Sequence, residues 1–172
     1  MPEPALDATR LLSTLARHDV RFVVIGGLAA VLHGAPYQTV DCDIVPQDTE
    51  ENLSRLSAAL SELDARVWTG SGSGFRFAHD GKSLRDARVW NLVTAAGLLD
   101  ITFEPAGTGG YSDLDKQAIV IEVDGVRFSV AALEDVVRSK QAAGREKDER
   151  ALPLLRRMLA EGIALASEEE LE

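Results

Sequence analysis

Two periods of apolar spacing run along this chain, and each change of period marks a new element. In residues 4–18, Leu6, Leu11, Leu12 and Leu15 approximate one helical face, which predicts an amphipathic helix packed on a sheet. Phe22-Val23-Val24-Ile25 is a short apolar run, too brief for a core helix and rich in β-branched side chains, so a buried strand is expected over residues 20–25. The run stops at Gly26-Gly27. Leu28-Ala29-Ala30-Val31-Leu32 has helix-forming composition and ends at His33-Gly34, with glycine where a helix turns off. Residues 40–45 return to a period of two, with Asp41 and Asp43 on one face and Val40, Cys42 and Ile44 on the other. Two carboxylates therefore project side by side.

Farther along, a capping residue precedes Glu50-Glu51, and Leu53, Leu56, Leu60 and Leu63 continue a helix expected to connect neighbouring strands. Residues 65–68 read as a short strand, 69–74 as a flexible glycine-serine connection, and Phe75-Arg76-Phe77 as a resumed strand. His79-Asp80-Gly81-Lys82 has turn composition. Two strands flanking Ala95-Ala96-Gly97 suggest a hairpin, and Asp124-Gly125 a second one between residues 117–123 and 126–130. Residues 131–143 form a helix, and the apolar stripe of Leu154, Leu155, Met158 and Leu159 closes on the core beyond Pro153, which either kinks a helix or begins one. The pattern is that of an α/β (α+β) fold, a mixed twisted sheet flanked by helices with a C-terminal helical region.

At 172 residues, with 45% hydrophobic side chains, the chain is long enough to bury a real core. No run is long enough to span a bilayer, and no leader pattern opens the chain, so neither export nor membrane insertion is expected. The single Cys42 forms no internal disulfide, which suits a reducing cytoplasm. A net charge of −10 argues against a broadly basic surface that grips nucleic acid non-specifically, leaving room only for a local patch.

Chemistry concentrates in a few positions. Adjacent carboxylates raise each other's pKa unless something offsets the repulsion, and a divalent cation with oxygen ligands does so. Gly26-Gly27 lets a phosphate approach the backbone at a helix start. Asp100 sits within Leu98-Leu99-Asp100-Ile101-Thr102-Phe103, where an unpaired charge is costly. Lys140 continues the stripe of Leu133, Val136 and Val137, so it needs an anionic partner or a route to solvent. His33 is placed to cap helix carbonyls, His79 has no paired metal ligand nearby, Tyr111 packs under its loop, and Arg156 and Arg157 face solvent.

The order of strand, Gly26-Gly27, short helix and Thr39-Val40-Asp41-Cys42-Asp43 resembles the signature of the polymerase-β-like nucleotidyltransferase superfamily. The run Ser139-Lys140-Gln141-Ala142-Ala143-Gly144-Arg145-Glu146-Lys147-Asp148, after Leu133-Glu134-Asp135, is similar to small bacterial nucleotidyltransferases related to abortive-infection toxins of the AbiEii type. The resemblance implies transfer of a nucleoside monophosphate from ATP or another nucleoside triphosphate to a hydroxyl on a tRNA, a protein or a small molecule. It implies Asp41, Asp43 and Asp100 as catalytic residues and ligands of Mg2+ or Mn2+. It further implies Gly26, Gly27, Thr39, Lys140, Arg145 and Lys147 as the nucleotide site, Asp148 orienting the basic loop, and a cognate antitoxin or toxin partner. Two departures stand out: Pro36-Tyr37-Gln38-Thr39 lacks the arginine that relatives often carry there, and Ala132 replaces a capping serine. On this reading residues 1–166 form one nucleotidyltransferase-like domain and 167–172 an acidic flexible tail. The competing expectation is a non-catalytic nucleotide-binding or antitoxin-like interaction module on the same fold.

Overall fold

The computed structural model describes residues 4–171, with side chains described as far as residue 162. Strand β1 (Phe22–Ile25) is an interior strand of the sheet, buried along its whole length. Strand β2 (Asp41–Pro46) pairs with it antiparallel. Strands β3 (Arg66–Val67), β4 (Val89–Thr94), β5 (Gly97–Thr102), β6 (Ile119–Val123) and β7 (Val126–Val130) complete one mixed sheet in the order β3-β4-β5-β2-β1-β7-β6. β5 lies parallel to β2, and β7 parallel to β1. Both expected hairpins form. At the tip of the second, Asp124 and Gly125 both take positive φ, 51° and 79°, as a tight turn between twisted strands requires.

One face of the sheet is closed. Cys42, Ile44, Leu92, Leu99 and Ile101 point into a single apolar cluster. Leu11 and Leu15 of helix α1 (Ala8–Arg17) and Leu53, Leu56 and Leu60 of helix α3 (Glu50–Glu62) join it. Buried Asn52 ties the strand ends together, accepting from Arg21 N at 2.7 Å and donating to the carbonyls of Arg21 and Gln47 at 2.9 and 2.8 Å. Helix α2 (Gly26–Leu32) follows β1 directly, α4 (Tyr111–Leu114) is a single turn, and α5 (Leu133–Ala143) leads through Gly144 into α6 (Glu146–Leu171). No helix among the described residues is long and apolar enough to cross a membrane.

Several expectations are corrected. Helix α1 begins later than residue 4, because Asp7 accepts from Arg10 N at 3.1 Å and sets the cap there. Helix α3 does not connect neighbours: β5 and β4 lie between β2 and β3. Phe75-Arg76-Phe77 makes only an isolated bridge from Phe75 to Val67. The short 3-10 helix Ser83–Asp86 and the turn α4 fall in stretches for which the sequence pattern suggested no element. Helix α6 runs through Pro153, and its backbone is helical to Leu171; Glu172 lies outside the described residues.

Ala132 caps α5 without a side-chain hydrogen bond. Ala132→Ser is expected to raise stability by about 1 kcal/mol, read as a shift in the urea unfolding midpoint.

Candidate functional site

The site grows out of sheet register. On β2 the residues that avoid the core are Asp41 and Asp43, and on β5 the matching position is Asp100, since Asp43 stands opposite Asp100 across the parallel pair. Carboxylate oxygens of Asp41, Asp43 and Asp100 lie within 4.8 Å of one another. Three like-charged groups this close are held apart from neutrality only at a cost, and the protonation of the ion-free site shows it. Burial, ahead of repulsion from Asp41 and Asp100, pushes the Asp43 carboxyl up to about 8, with Lys147 acting against it. Burial and then Asp41 push Asp100 up to about 6. An all-oxygen donor set strained in this way fits a hard divalent cation such as Mg2+ or Mn2+.

Gly26 and Thr39 support the acids. Gly26 has φ +73°, and a Cβ there would run into the Asp43 carboxyl group, lying 3.0 Å from its Cγ. The sequence reading assigned this glycine to phosphate approach; the structure shows that it also makes room for a carboxylate. Gly26→Ala is expected to cost about 2 kcal/mol or more and to displace Asp43, measured by urea unfolding and by loss of divalent-ion binding. Gly27 lies over Thr39, whose Oγ1 would sit 3.2 Å from an added Cβ. Thr39 Oγ1 in turn lies 3.0 Å from the Asp41 carbonyl and 3.3 Å from its carboxylate, so it braces the first acid.

The basic residues arrive from α5 and α6. Gly144 ends α5 in the left-handed conformation at φ 63°, which turns the chain so that Arg145 and Lys147 re-enter beside Lys140. Lys140 is nearly buried, with 13% of its side chain exposed, and its Nζ is 3.5 Å from the fully buried carboxylate of Asp148. Asp148 also accepts from Arg145 Nε at 2.8 Å and from Arg145 N at 3.3 Å. Burial alone would raise the Asp148 carboxyl, but Arg145 and Lys140 hold it below the usual carboxylate range. The anionic partner that the Lys140 stripe demanded is therefore Asp148.

The acids and the three basic residues face two adjoining cavities, about 300 and about 590 Å3, which share Gly26, Asp41, Asp43, Lys140, Arg145 and Lys147. The smaller continues past Asp100 onto β4; the larger continues past Gly27 and Thr39 towards Tyr37, Arg150 and Leu154. A depression of about 800 Å3 at the other end of β1, among Arg21, Arg55 and Arg127, contains none of the three acids. Its size does not make it the site, because the convergent ionisable groups are elsewhere.

No family model matches the chain, and no curated protein matches it. Solved structures do. A Thermotoga maritima protein classed provisionally as a nucleotidyltransferase aligns at 21% identity over 89% of this chain and 90% of that one, with a TM-score of 0.49. The antibiotic-resistance factor ANT(2'')-Ia aligns in solution at 14% identity over 94% of each chain, with a TM-score of 0.50. Its crystal structure with adenylyl-2"-tobramycin aligns at 14% identity over 91% of this chain and 90% of that one, with a TM-score of 0.52. The chain has the nucleotidyltransferase fold.

Within the nucleotidyltransferase fold, every residue expected at the site lines one or both cavities. Other candidates go elsewhere. His33 Nε2 is 2.8 Å from the Ala131 carbonyl, a capping contact. His79 Nδ1 is 2.7 Å from Ser57 Oγ, and its ring packs against Phe77. Tyr111 packs beside Arg21, on the far side of the sheet ends from the acids. Asn91 was missed: it lies opposite Asp100 across the β4–β5 hairpin and lines the smaller cavity. A two-residue turn at Ala95-Ala96 carries the signal, because it sets Thr94 against Gly97 and hence Asn91 against Asp100.

Proposed function

We propose that this chain is a divalent-metal-dependent nucleotidyltransferase that moves a nucleoside monophosphate from a nucleoside triphosphate to an acceptor hydroxyl. The observation that carries this reading is the convergence of Asp41, Asp43 and Asp100 within 4.8 Å, in cavities also lined by Lys140, Arg145 and Lys147. Asp41, Asp43 and Asp100 would hold Mg2+ or Mn2+, which when bound neutralises phosphate charge and favours displacement at the α-phosphorus. Lys140, Arg145 and Lys147 orient and neutralise the triphosphate, with Asp148 keeping the first two in place. Gly26 and Gly27 leave backbone open to the phosphate chain, and Thr39 steadies Asp41. Asp100, whose proton affinity is raised towards neutrality, takes the proton of the attacking hydroxyl. The acceptor oxygen forms its bond to the α-phosphorus as the α–β bridging bond breaks, and pyrophosphate leaves.

Support comes also from a structural neighbour bearing an adenylylated aminoglycoside. A toxin–antitoxin role rests on the 139–148 sequence resemblance. The test is incubation with each α-labelled triphosphate, Mg2+ and cell extract. Label transferred only with the metal present supports the reading, and neither binding nor turnover of any triphosphate would end it.

A further inference from the structure

The two edges of the sheet are finished differently. β3 is only two residues long, and its Val67 is further engaged by the bridge to Phe75. β6 runs from Ile119 to Val123 with β7 on one side and no strand on the other. Val123 and Val126 flank the two-residue turn at Asp124-Gly125, so they form a hydrogen-bonded pair, as do Ile121 with Phe128 and Ile119 with Val130. Val120 and Glu122 therefore turn their N–H and C=O groups outward, and no other backbone among the described residues takes them up.

A free edge invites another strand, and sheets normally blunt it with lysine, proline, a bulge or a cover. Residues 119–123 contain no lysine or proline, and their register with β7 is unbroken by a bulge. Ile119 exposes 42% of its surface and Val120 59%, on opposite faces of the strand. The one charge in the strand, Glu122, stands opposite Arg127 of the same hairpin. The ends of the described chain do not supply a cover. Asp7 N donates to the Ala96 carbonyl at the β4–β5 hairpin, and α6 stays helical to Leu171.

We propose that β6 is a docking edge for a second copy of this chain, paired antiparallel across a two-fold axis. Self-complementarity identifies the occupant. Hydrogen bonding requires the outward residues of one copy to meet those of the other. Setting Val120 against the partner's Val120 places Ile119 against the partner's Ile121 and Glu122 against the partner's Ala118. It also brings Lys116 alongside the partner's Asp124, twice by symmetry. Sliding one way sets Val120 against the partner's Glu122 and Lys116 against the partner's Val126, so no charge meets its opposite. Sliding the other way sets Ile121 against the partner's Gln117 and drives Asp124 onto the partner's Leu114, in the turn α4. In the favoured register the two seven-stranded sheets join into one. No β6 residue lines either cavity at the acids, so both sites stay open.

The test uses the full chain, 18.5 kDa, in sedimentation velocity across a range of concentrations, with twice that mass expected at about 100 μM. Val120→Pro removes an outward N–H without touching a bond to β7, and should leave a monomer with its circular dichroism retained. Val120→Cys should cross-link the two copies on mild oxidation, because directly opposed residues of a hydrogen-bonded pair have Cα atoms about 5.5 Å apart, within disulfide reach. Native Cys42 is buried and does not compete. Glu122→Cys should not cross-link, since its two copies lie about 14 Å apart along the strands. Lys116→Glu should weaken association about five-fold, and adding Asp124→Asn, which tolerates the positive φ of the turn, should recover part of that loss. A monomer at every concentration, a dimer that survives Val120→Pro, or Glu122→Cys cross-linking as fast as Val120→Cys overturns the proposal. So does an extended peptide from another protein on β6 of a monomeric chain. Should Val120→Pro fail to fold, the two cysteine variants decide.

Discussion

Asp43→Asn is expected to abolish nucleotidyl transfer and at the same time to stabilise the ion-free protein at alkaline pH. The first effect follows from removing one of three convergent ligands, and a fall on the order of a thousand-fold in the rate of label transfer should be measured with folding retained. The second follows from the cost of an acid whose folded pKa is raised to about 8. Below the pKa of the unfolded chain, near 4, the carboxyl is protonated in both states and carries no penalty. Between that point and about pH 8 the unfolded chain has lost its proton and the folded one keeps it, so stability falls as pH rises, by about 1.4 kcal/mol per pH unit for this group. Asp100, raised to about 6, adds a shorter fall in the same direction. Urea unfolding in a chelator at about pH 5 and about pH 8.5 should therefore show Asp43→Asn gaining a few kcal/mol over the parent chain at the higher pH and little at the lower. Added Mg2+ should reverse the order at the higher pH, because it binds only the parent set of acids tightly. An Asp43→Asn protein no more stable than its parent at high pH would show that burial and the neighbouring acids do not raise the Asp43 carboxyl as described.

Asp148→Ala should be among the most damaging substitutions outside the acid cluster. Its carboxylate is fully buried and serves Lys140 and Arg145 together. Removal leaves Lys140, itself only 13% exposed, without its counter-ion, and breaking a buried pair from one side costs about 3–5 kcal/mol. The same change frees the turn after Gly144, so KM for the triphosphate should rise about ten-fold or more in whatever folded protein remains. Asp148→Asn, which keeps the shape and one acceptor, should fall between the two. A stability loss below about 1 kcal/mol for the alanine variant would show that the basic residues are held by something else.

How much of this could be read from the chain depends on the range of the interaction. Asp41 and Asp43 share a face because strand side chains alternate, a local property visible in six residues. The same holds for the tight Asp124-Gly125 turn and for Lys140 on the apolar stripe of α5. Asp100 was legible as an acid out of place in an apolar strand. Its position opposite Asp43 was not, since that depends on β5 joining β2 in parallel after an excursion through α3, β3 and β4. The same excursion explains why α3 was expected to link neighbours and does not. Asn91 illustrates the middle ground: the hairpin register was available, but its relevance appears only once Asp100 is known to face the acids.

By itself the amino-acid order determined the periods, the turns and the residue types able to do chemistry, because each of these is settled within a few bonds along the backbone. Tertiary structure alone decided which of those residues meet. It set Asp100 against Asp43, gave Lys140 its partner in Asp148, and pressed Gly26 so close to Asp43 that no side chain fits between them. Strand order and helix docking are fixed by burial of the whole apolar cluster at once, a collective free energy that no single stretch of the chain carries.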